Sequence, residues 1–397
     1  MKTEKASEFL EKIKNKIIVI AKEAKIPLIL VAILLVADLI LGMISRAMIG
    51  NLPDQNTVSR CSYEHCAQVS AFFGQDRYID EDFIKKMEYD FKNKITESGI
   101  SEKKLKYSSC YSAQGTVSLS FEDKNLEEVD AIGVAGDFFL FHPLKFVSGG
   151  PFINDPVMAD YIVIDTDIAW KLFGSNDVVD EIVYIGDVPH YIAGVVERPE
   201  GRISDAAGLK DPVIYMTYDS LSKYGNIYSG RTTEKEISED GKKAKFGGIN
   251  CYEIVCTNPV EGIVRSNIAE SCGLDGRFVH ICENSERFKA LPLLEVVASF
   301  GTRSMWQKAI YYPYWENIAR GYEDILSILF VIRLFLKVSA CVTVILFVRT
   351  FYVRKETDLH GLFEKLADKK YELEVKLNER KKNKRKAKWE KDELPRE

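Results

Sequence analysis

Three charged residues stand where the sequence is otherwise apolar. Asp38 interrupts the stretch from Ile26 to Ile44. Arg333 and Lys337 interrupt a second stretch, from Ile325 to Val348. Each stretch has the roughly 20 apolar residues that a membrane-spanning helix needs. A charge near the centre of a span costs about 2.5–3.5 kcal/mol on insertion scales, so these side chains should not face lipid without a partner.

The positions of these charges along the two stretches predict which of them meet. Asp38 lies eight residues before Arg46, and Arg333 lies eight residues after Ile325. At about 1.5 Å per residue, both lie roughly 12 Å below the same membrane boundary. Lys337 is one turn deeper on the helix face of Arg333. We predict that Asp38 pairs with Arg333, or with Lys337 if the helices slide by a turn, within one chain or between chains of a dimer; the alternative is that Arg333 reaches the headgroups.

The charge of the remaining segments predicts an orientation in the membrane. Residues 1–25 carry a net charge of +3, residues 349–397 carry +5, and residues 47–324 carry −15. Basic flanks stay in the cytoplasm, so both termini are expected on the cytoplasmic side of the cell (plasma or inner) membrane. The lipid bilayer is then a partner of the chain. The predicted divisions are an amphipathic cytoplasmic segment (1–25), a first span (26–46), an extracytoplasmic domain (47–324), a second span (325–348) and a basic cytoplasmic tail (349–397). The alternatives are a buried core helix for either stretch and a cleaved signal peptide for the first.

Recognisable catalytic and cofactor motifs are absent from the sequence. It contains no phosphate-binding loop of the G-x-x-x-x-G-K-[ST] type, no G-x-S-x-G elbow and no H-E-x-x-H pair. The five histidines have no ligand-like spacing, and Cys61, His65 and Cys66 lack a second ligand pair for zinc. We therefore expect no enzyme, cofactor, metal site or nucleic-acid partner; a hydrolase whose residues meet only in three dimensions stays open. Seven of the eight cysteines fall in residues 47–324, which favours an oxidising compartment and one to three disulfides.

Strand and helix periodicities alternate within residues 47–324 and predict an α+β fold, a mixed α/β domain between two transmembrane helices. The predicted strands are 69–73, 116–121, 129–134, 161–164, 182–185, 191–196, 213–216, 252–255 and 278–281. The predicted helices are 81–96 after an Asp80 cap, a short helix between Asp165 and Gly174, 263–272, and 291–322. Residues 142–152 are expected to form a loop and residues 222–248 an exposed insertion.

Residues 137–197 carry a family pattern: DFFLFHPLKFVSGGPF, then DYIVIDTDIAWKLFG, then SNDVVDEIVYIGDVPHYIAGVVE. This stretch resembles the periplasmic core domain of MacB-type ABC transporter permeases. In that family a G-x-x-F step is followed by a strand, by a helix that ends in a phenylalanine-glycine pair, and by a hairpin that ends on a V-x-G-V-like sequence. In this sequence these features fall, in the same order, on Gly149–Phe152, Tyr161–Ile164, Leu172–Gly174 and Ala193–Val195. The resemblance implies a structural motif and assigns no catalytic residue.

The sequence departs from that family in two ways. Asp180 stands where a turn glycine is usual, and aspartate tolerates left-handed turns better than most residues. The family's permeases also carry four spans, with three after the outer domain, whereas this sequence shows one there. The resemblance therefore implies a two-span permease subunit of an ABC export or mechanotransmission complex, served by a separate ABC ATPase and paired with a four-span permease or a second copy. The alternative is a membrane-anchored extracytoplasmic ligand-binding or sensory module without an ATPase.

Overall fold

The computed structural model describes residues 2–61, 65–75, 77–100, 105–153, 160–231, 247–302 and 311–392, with side chains from Lys25 to Thr350 in those ranges and at some positions beyond. The chain divides into two compact units. The sheet unit comprises residues 43–331, and the helical unit comprises residues 1–42 and 332–397.

The sheet unit is built on a single mixed sheet. In the described residues its strands are β1 (Cys66–Phe73), β2 (Tyr107–Phe121), β3 (Lys124–Gly136), β4 (Lys145–Gly149), β5 (Tyr161–Asp165), β6 (Ile182–Ile185), β7 (Val188–Glu197), β8 (Val213–Thr217), β9 (Asn226–Ile227), β10 (Cys251–Thr257) and β11 (Val279–Glu283). The order across the sheet is β11-β1-β10-β2-β3-β8-β5-β7-β4, with β6 paired to β2 and β7, and β9 paired to β2. The β3–β8 and β5–β7 pairs are parallel, and the others are antiparallel. The predicted mixed α/β fold class is confirmed.

In the same described residues the α-helices are α1 (Lys2–Gly50), α2 (Glu81–Glu97), α3 (Phe138–Phe141), α4 (Thr166–Phe173), α5 (Arg202–Ser204), α6 (Tyr218–Tyr224), α7 (Ile263–Cys272), α8 (Ala290–Ala298) and α9 (Tyr314–Asp392). The Asp80 side chain accepts a hydrogen bond from Phe83 N and caps α2, as predicted. Asp165 caps α4 in the same way, and Gly174 ends it at φ +73°.

Both predicted spans lie in helices long and apolar enough to cross a membrane. The candidate spans are Lys25–Gly50, with mean hydropathy 2.8, and Tyr314–Thr350, with mean hydropathy 2.3. Their apolar windows are 0% and 6% buried inside the molecule, so the alternative of buried core helices is wrong. The predicted amphipathic segment at residues 1–25 falls within α1 from Lys2 onward, but its side chains before Lys25 lie outside the described residues.

The hairpin of the family pattern has the geometry that its sequence requires. Gly186 and Asp187 form the two-residue turn between β6 and β7, both with positive φ, at +54° and +65°. Asp180, in the position of the usual glycine, adopts φ +66°. The left-handed turn is therefore retained with aspartate in place of glycine.

Three local expectations from the sequence are wrong. Residues 142–152 are not all loop, because β4 pairs with the edge of β7. The predicted helix 291–322 is divided: α8 ends at Ala298, and α9 begins at Tyr314, directly after Pro313, which disfavours helical backbone at the residue before it. The predicted insertion at 222–248 is not exposed throughout, because Ser229 is fully buried and its hydroxyl donates to Gly248 O at 3.1 Å; residues 232–246 lie outside the described residues.

The expected disulfides are also absent, because all eight cysteines are described and all are free thiols. The strand register gives one reason. Cys256 is level with Ala67 across β1 and β10, so its side chain and that of the adjacent Cys66 lie on opposite faces of the sheet.

Candidate functional site

A fully buried histidine lies between two carboxylates inside the sheet unit. His142, which follows α3, places Nδ1 2.8 Å from Asp54 Oδ1 and Nε2 2.5 Å from Glu253 Oε2. Asp54 belongs to a short 3-10 turn (Pro53–Gln55) that follows α1, and Glu253 lies in the middle of β10. The imidazole therefore joins a segment next to the first candidate span to the central part of the sheet.

The surroundings of His142 stabilise its protonated form. Burial alone would lower the pKa of His142, but the charges of Glu253 and Asp54 and the hydrogen bonds with both raise it to about 9. The ring also lies against Trp315 and Phe138, at centroid distances of 4.2 and 4.5 Å. Near neutral pH the group is thus an imidazolium that donates both N–H groups to carboxylates.

The hydrogen bonds continue from Glu253 across the sheet. Ser70 on β1 is the register partner of Glu253, so the two side chains lie on the same face, and Ser70 Oγ donates to Glu253 Oε1 at 2.6 Å. Asn284, just after β11, donates to Ser70 Oγ at 2.7 Å. The network therefore crosses three neighbouring strands.

Arg287, in the turn that follows β11, connects this part of the sheet unit to the start of α9. Its guanidinium makes a bidentate ion pair with Glu316, at 2.8 and 3.0 Å, and its Nε donates to Glu323 Oε1 at 2.6 Å. Glu316 and Glu323 are seven residues apart and thus share one face of the helix. Arg287 Nη1 also donates to Gln55 Oε1 at 2.7 Å.

We call Asn51–Arg60 the first connector and Tyr314–Asp324 the second connector, because each adjoins a predicted span in sequence. Arg287 contacts both connectors, and so does His142, which bonds to Asp54 of the first and lies against Trp315 of the second. Arg60 adds a further link by donating to the carbonyls of Leu140 and Phe141, each at 2.9 Å. The set Asp54, Gln55, Ser70, His142, Glu253, Asn284, Arg287, Glu316 and Glu323 is called the connector network below.

One group in the described residues brings metal-ligand atoms together. Ligand atoms of Cys110, His142 and Glu253, all buried, lie within 4.8 Å of one another. Two ligand atoms on a tetrahedral zinc at about 2.0–2.1 Å lie about 3.3 Å apart. His142 Nε2 and Glu253 Oε2 are only 2.5 Å apart, which is much closer than two ligands of one zinc and corresponds to a direct hydrogen bond between the imidazolium and the carboxylate. Burial raises the pKa of the Cys110 thiol, which keeps it protonated. We therefore interpret this group as part of the connector network.

A cavity of about 800 Å³ lies beside the connector network in the sheet unit. The first connector contributes Leu52 and Pro53 to its wall, and the second contributes Tyr314, Ile318 and Tyr322. The three residues of α9 are four apart, so they form one face of the helix, whereas Glu316 and Glu323 lie on another. The second connector thus separates the cavity from the Arg287 ion pairs.

The three charged residues singled out in the apolar stretches all lie in the helical unit, and the structure places them together. Arg333 Nε donates to Asp38 Oδ1 at 2.9 Å, and Lys337 Nζ lies 3.7 Å from Asp38 Oδ2. Gly42, one turn after Asp38, provides room for the guanidinium, because a Cβ there would lie 2.9 Å from Arg333 Nη2. Whether this group has a structural or coupling role inside a membrane stays a prediction.

The connector network was not predicted from the sequence. Its members are far apart in the chain: 88 residues separate His142 from Asp54, and 111 separate it from Glu253. One signal was available, because Glu253 places a carboxylate inside the apolar strand CYEIVC. A charge in such a strand indicates a buried partner, although it does not identify that partner.

Comparison with known proteins gives a family match. Residues 31–239, more than half of the chain, match the family model described as MacB-like periplasmic core domain. A curated relative, the macrolide export ATP-binding/permease protein MacB of Shigella dysenteriae serotype 1, is 28% identical over 95 residues, which are 23% of this chain and 14% of the relative. The protein of the same name from Escherichia coli strain K12 is 27% identical over 95 residues, with the same coverage. The aligned region is therefore about one seventh of the length of these relatives.

Two solved structures are also similar to parts of the chain. The periplasmic region of MacB from Actinobacillus actinomycetemcomitans has 12% sequence identity and a TM-score of 0.37, covering 60% of this chain and 94% of that one. The extracellular domain of the noncanonic ABC-type transporter YknZ from Gram-positive bacteria has 13% identity and a TM-score of 0.32, covering 54% of this chain and 100% of that one.

Proposed function

Because this chain belongs to the MacB-like periplasmic core domain family, we propose that it is a permease-type subunit of an ABC export or mechanotransmission complex. In this proposal a separate ATPase hydrolyses ATP, since the sequence contains no phosphate-binding loop of its own. The partners are that ATPase and either a four-span permease or a second copy of this chain. The proposed orientation has both termini in the cytoplasm and the sheet unit outside.

The observation that carries this proposal is the connector network. A subunit that transmits motion between spans and an outer domain needs firm attachment where each span meets that domain. Arg287, itself buried, contacts Gln55 of the first connector and both Glu316 and Glu323 of the second. Buried and bidentate ion pairs hold a more specific geometry than exposed ones, which supports a transmitting role for these segments.

Co-purification tests the proposed partners. Affinity purification of the tagged full chain from its native membrane should recover an ABC ATPase and a second permease or an additional copy of the chain. The chain purified alone after recombinant expression should hydrolyse no ATP, and hydrolysis should appear only when the ATPase is present. Recovery of the chain alone from native membranes would contradict the proposal and favour the ligand-binding or sensory alternative.

Cysteine labelling tests the proposed orientation separately. In a background with the partly or fully exposed Cys61, Cys66, Cys282 and Cys341 changed to serine, a membrane-impermeant maleimide should label Lys223→Cys, an exposed position of α6, in intact cells. It should label Lys384→Cys only after permeabilisation. Labelling of Lys384→Cys in intact cells would reverse the proposed orientation without affecting the partner test.

The cavity provides a specific reason to retain a second candidate function. A ligand in it would touch residues of both connectors, as a sensory module requires. A conformational change of the chain on ligand binding, in the absence of any associated ATPase, would support that function.

A further inference from the structure

The cavity has the size and lining of a small-molecule site. Its volume of about 800 Å³ falls within the roughly 300–1,000 Å³ typical of ligand pockets. One wall is the face of α9 that carries Tyr314, Ile318 and Tyr322. The rest of the lining includes the apolar side chains of Leu144, Val196, Leu209 and Val213. Such a lining accommodates an apolar body.

A buried carboxylate in the wall lacks one of its hydrogen bonds. Asp165 is 1% exposed, and its Oδ1 accepts from Arg198 Nη1 and from Asp167 N, each at 2.8 Å. Within the described part of the chain, Oδ2 has no hydrogen-bond partner. Buried polar atoms are normally paired, so this oxygen can take a hydrogen-bond donor. Because the oxygen itself has almost no accessible surface, a ligand reaches it only when the adjoining wall of the cavity shifts.

The other polar groups of the lining narrow the chemistry of the ligand. Tyr215 Oη and Tyr314 Oη are hydrogen-bonded to each other at 3.0 Å, so they already have partners. The charged lining is nearly balanced, with Lys145, Arg198 and Arg202 against Asp54, Asp165, Glu197 and Glu200. A balanced rim does not suit a polyanion such as a nucleotide, and it suits a compact molecule with one polar end.

We propose that this cavity binds an amphipathic small molecule whose apolar body lies against Ile318 and Tyr322 and whose hydrogen-bond donor reaches Asp165 Oδ2. The ligand would contact the first connector at Leu52 and the second at Tyr314, next to the connector network. This inference rests on the cavity alone and requires no ATPase partner. Its failure would therefore leave the proposed permease function intact, and the reverse also holds.

Three probes of the same length and different head groups test the proposal. The full chain in lipid nanodiscs is titrated with 4-(4-fluorophenyl)butylamine, 4-(4-fluorophenyl)butan-1-ol and 4-(4-fluorophenyl)butanoate, and fluorine NMR line broadening is measured relative to empty nanodiscs. The amine and the alcohol carry a donor and should bind at least fivefold more tightly than the carboxylate, which is an acceptor only. Broadening no greater than that in empty nanodiscs would overturn the proposal.

Substitutions then locate the binding. Ile318→Trp fills the cavity from α9 and should weaken binding of the amine at least tenfold. Leu144→Trp fills it from another element, just before β4, and should do the same, so a folding defect in one variant does not decide the outcome. Unchanged binding in a folded variant of either kind would show that the probes bind elsewhere.

A matched pair of carboxylates tests the head-group contact. Asp165→Asn retains the helix cap, because asparagine also caps well, but it removes the anionic acceptor. It should reduce the fivefold preference for the donor probes to about unity. Asp167→Asn is the control, since Asp167 also pairs with Arg198, at 2.7 Å, but is exposed and does not line the cavity. A preference that survives Asp165→Asn, or is lost equally in Asp167→Asn, would overturn the assigned contact.

Discussion

The two units of the molecule differ in how they pair charged side chains that are removed from water. In the sheet unit, the Arg287 side chain is 3% exposed and has hydrogen bonds to Glu316, Glu323 and Gln55. In the helical unit, Asp38 has two cations near it, and the Lys337 side chain is 52% exposed. The first arrangement has one geometry that satisfies all its members. The second provides one anion with two alternative partners, four residues apart on one helix.

This difference indicates which charges hold the structure and which can exchange. A network with several short contacts loses all of them when one member moves, so it favours a single state. An anion beside cations at i and i+4 keeps a partner after a slide of one turn, about 5.4 Å. We expect the connector network to determine stability and the Asp38 group to permit alternative positions.

The largest effect is expected from Arg287→Met. Removal of this buried cation takes from Glu316 and Glu323 the guanidinium that both contact, and breaking a buried ion pair in this way costs about 3–5 kcal/mol. Thermal unfolding of the full chain in detergent, followed by tryptophan fluorescence, measures the loss. Arg277→Met is the matched control, because the Arg277 side chain is 79% exposed and pairs with Asp275 at the surface. It should cost less than about 1 kcal/mol, and equal losses in both variants would refute the distinction between the two kinds of ion pair.

The second effect is a pH dependence at His142. The folded state raises the pKa of His142 from 6.5 to about 9, so it binds the proton more tightly than the unfolded chain. The resulting stabilisation, about 3 kcal/mol, is complete below pH 6.5 and is lost as the pH rises through 9. His142→Gln should lose this component, so the difference in unfolding temperature between it and the unsubstituted chain should shrink from pH 6.5 to 9.5.

The control for the pH experiment is His65→Gln, since His65 is exposed. Its unfolding temperature should follow that of the unsubstituted chain across the same range. A difference for His142→Gln that stays constant with pH would mean that the network is not held by a protonated imidazole.

A third, smaller effect is expected in the helical unit. Asp38→Asn and Arg333→Gln should each reduce stability, and a double-mutant cycle should give a coupling of about 1 kcal/mol. The double variant should therefore lose less than the sum of the single losses. Strict additivity would show that the 2.9 Å contact contributes nothing, and the pairing proposal would then be discarded.

The smallest effect is expected from Lys337→Gln. Lys337 Nζ lies 3.7 Å from Asp38, and its half-exposed side chain can extend away, so the loss should be below about 0.5 kcal/mol. In an Arg333→Gln background the same change should cost more, because Lys337 then supplies the remaining cation. An identical loss in both backgrounds would exclude exchange of partners.

The contrast between the units also shows which features of the structure could be predicted from the sequence. The charges in the apolar stretches could be identified from the sequence, because a charged residue is rare in a membrane-spanning stretch and needs a partner there. The helix rise then gives the depth of each charge. The family pattern identified α4 and the β6–β7 hairpin, since caps and left-handed turns are encoded by neighbouring residues. By contrast, β4 looked like a loop, because its pairing with β7 depends on residues almost fifty positions away.

The sequence by itself determined the elements whose signals are local: two apolar helices, the capped helices of the sheet unit, and a tight turn at Asp180 that keeps its left-handed backbone. Only the tertiary structure decided that His142 would lie between Asp54 and Glu253, that Arg287 would meet α9, and that the cysteines would stay apart. The physical reason is that helix formation, capping and turn geometry depend on residues within a few positions. Ion-pair partners and cavity walls depend on sheet register, which brings together residues about a hundred positions apart.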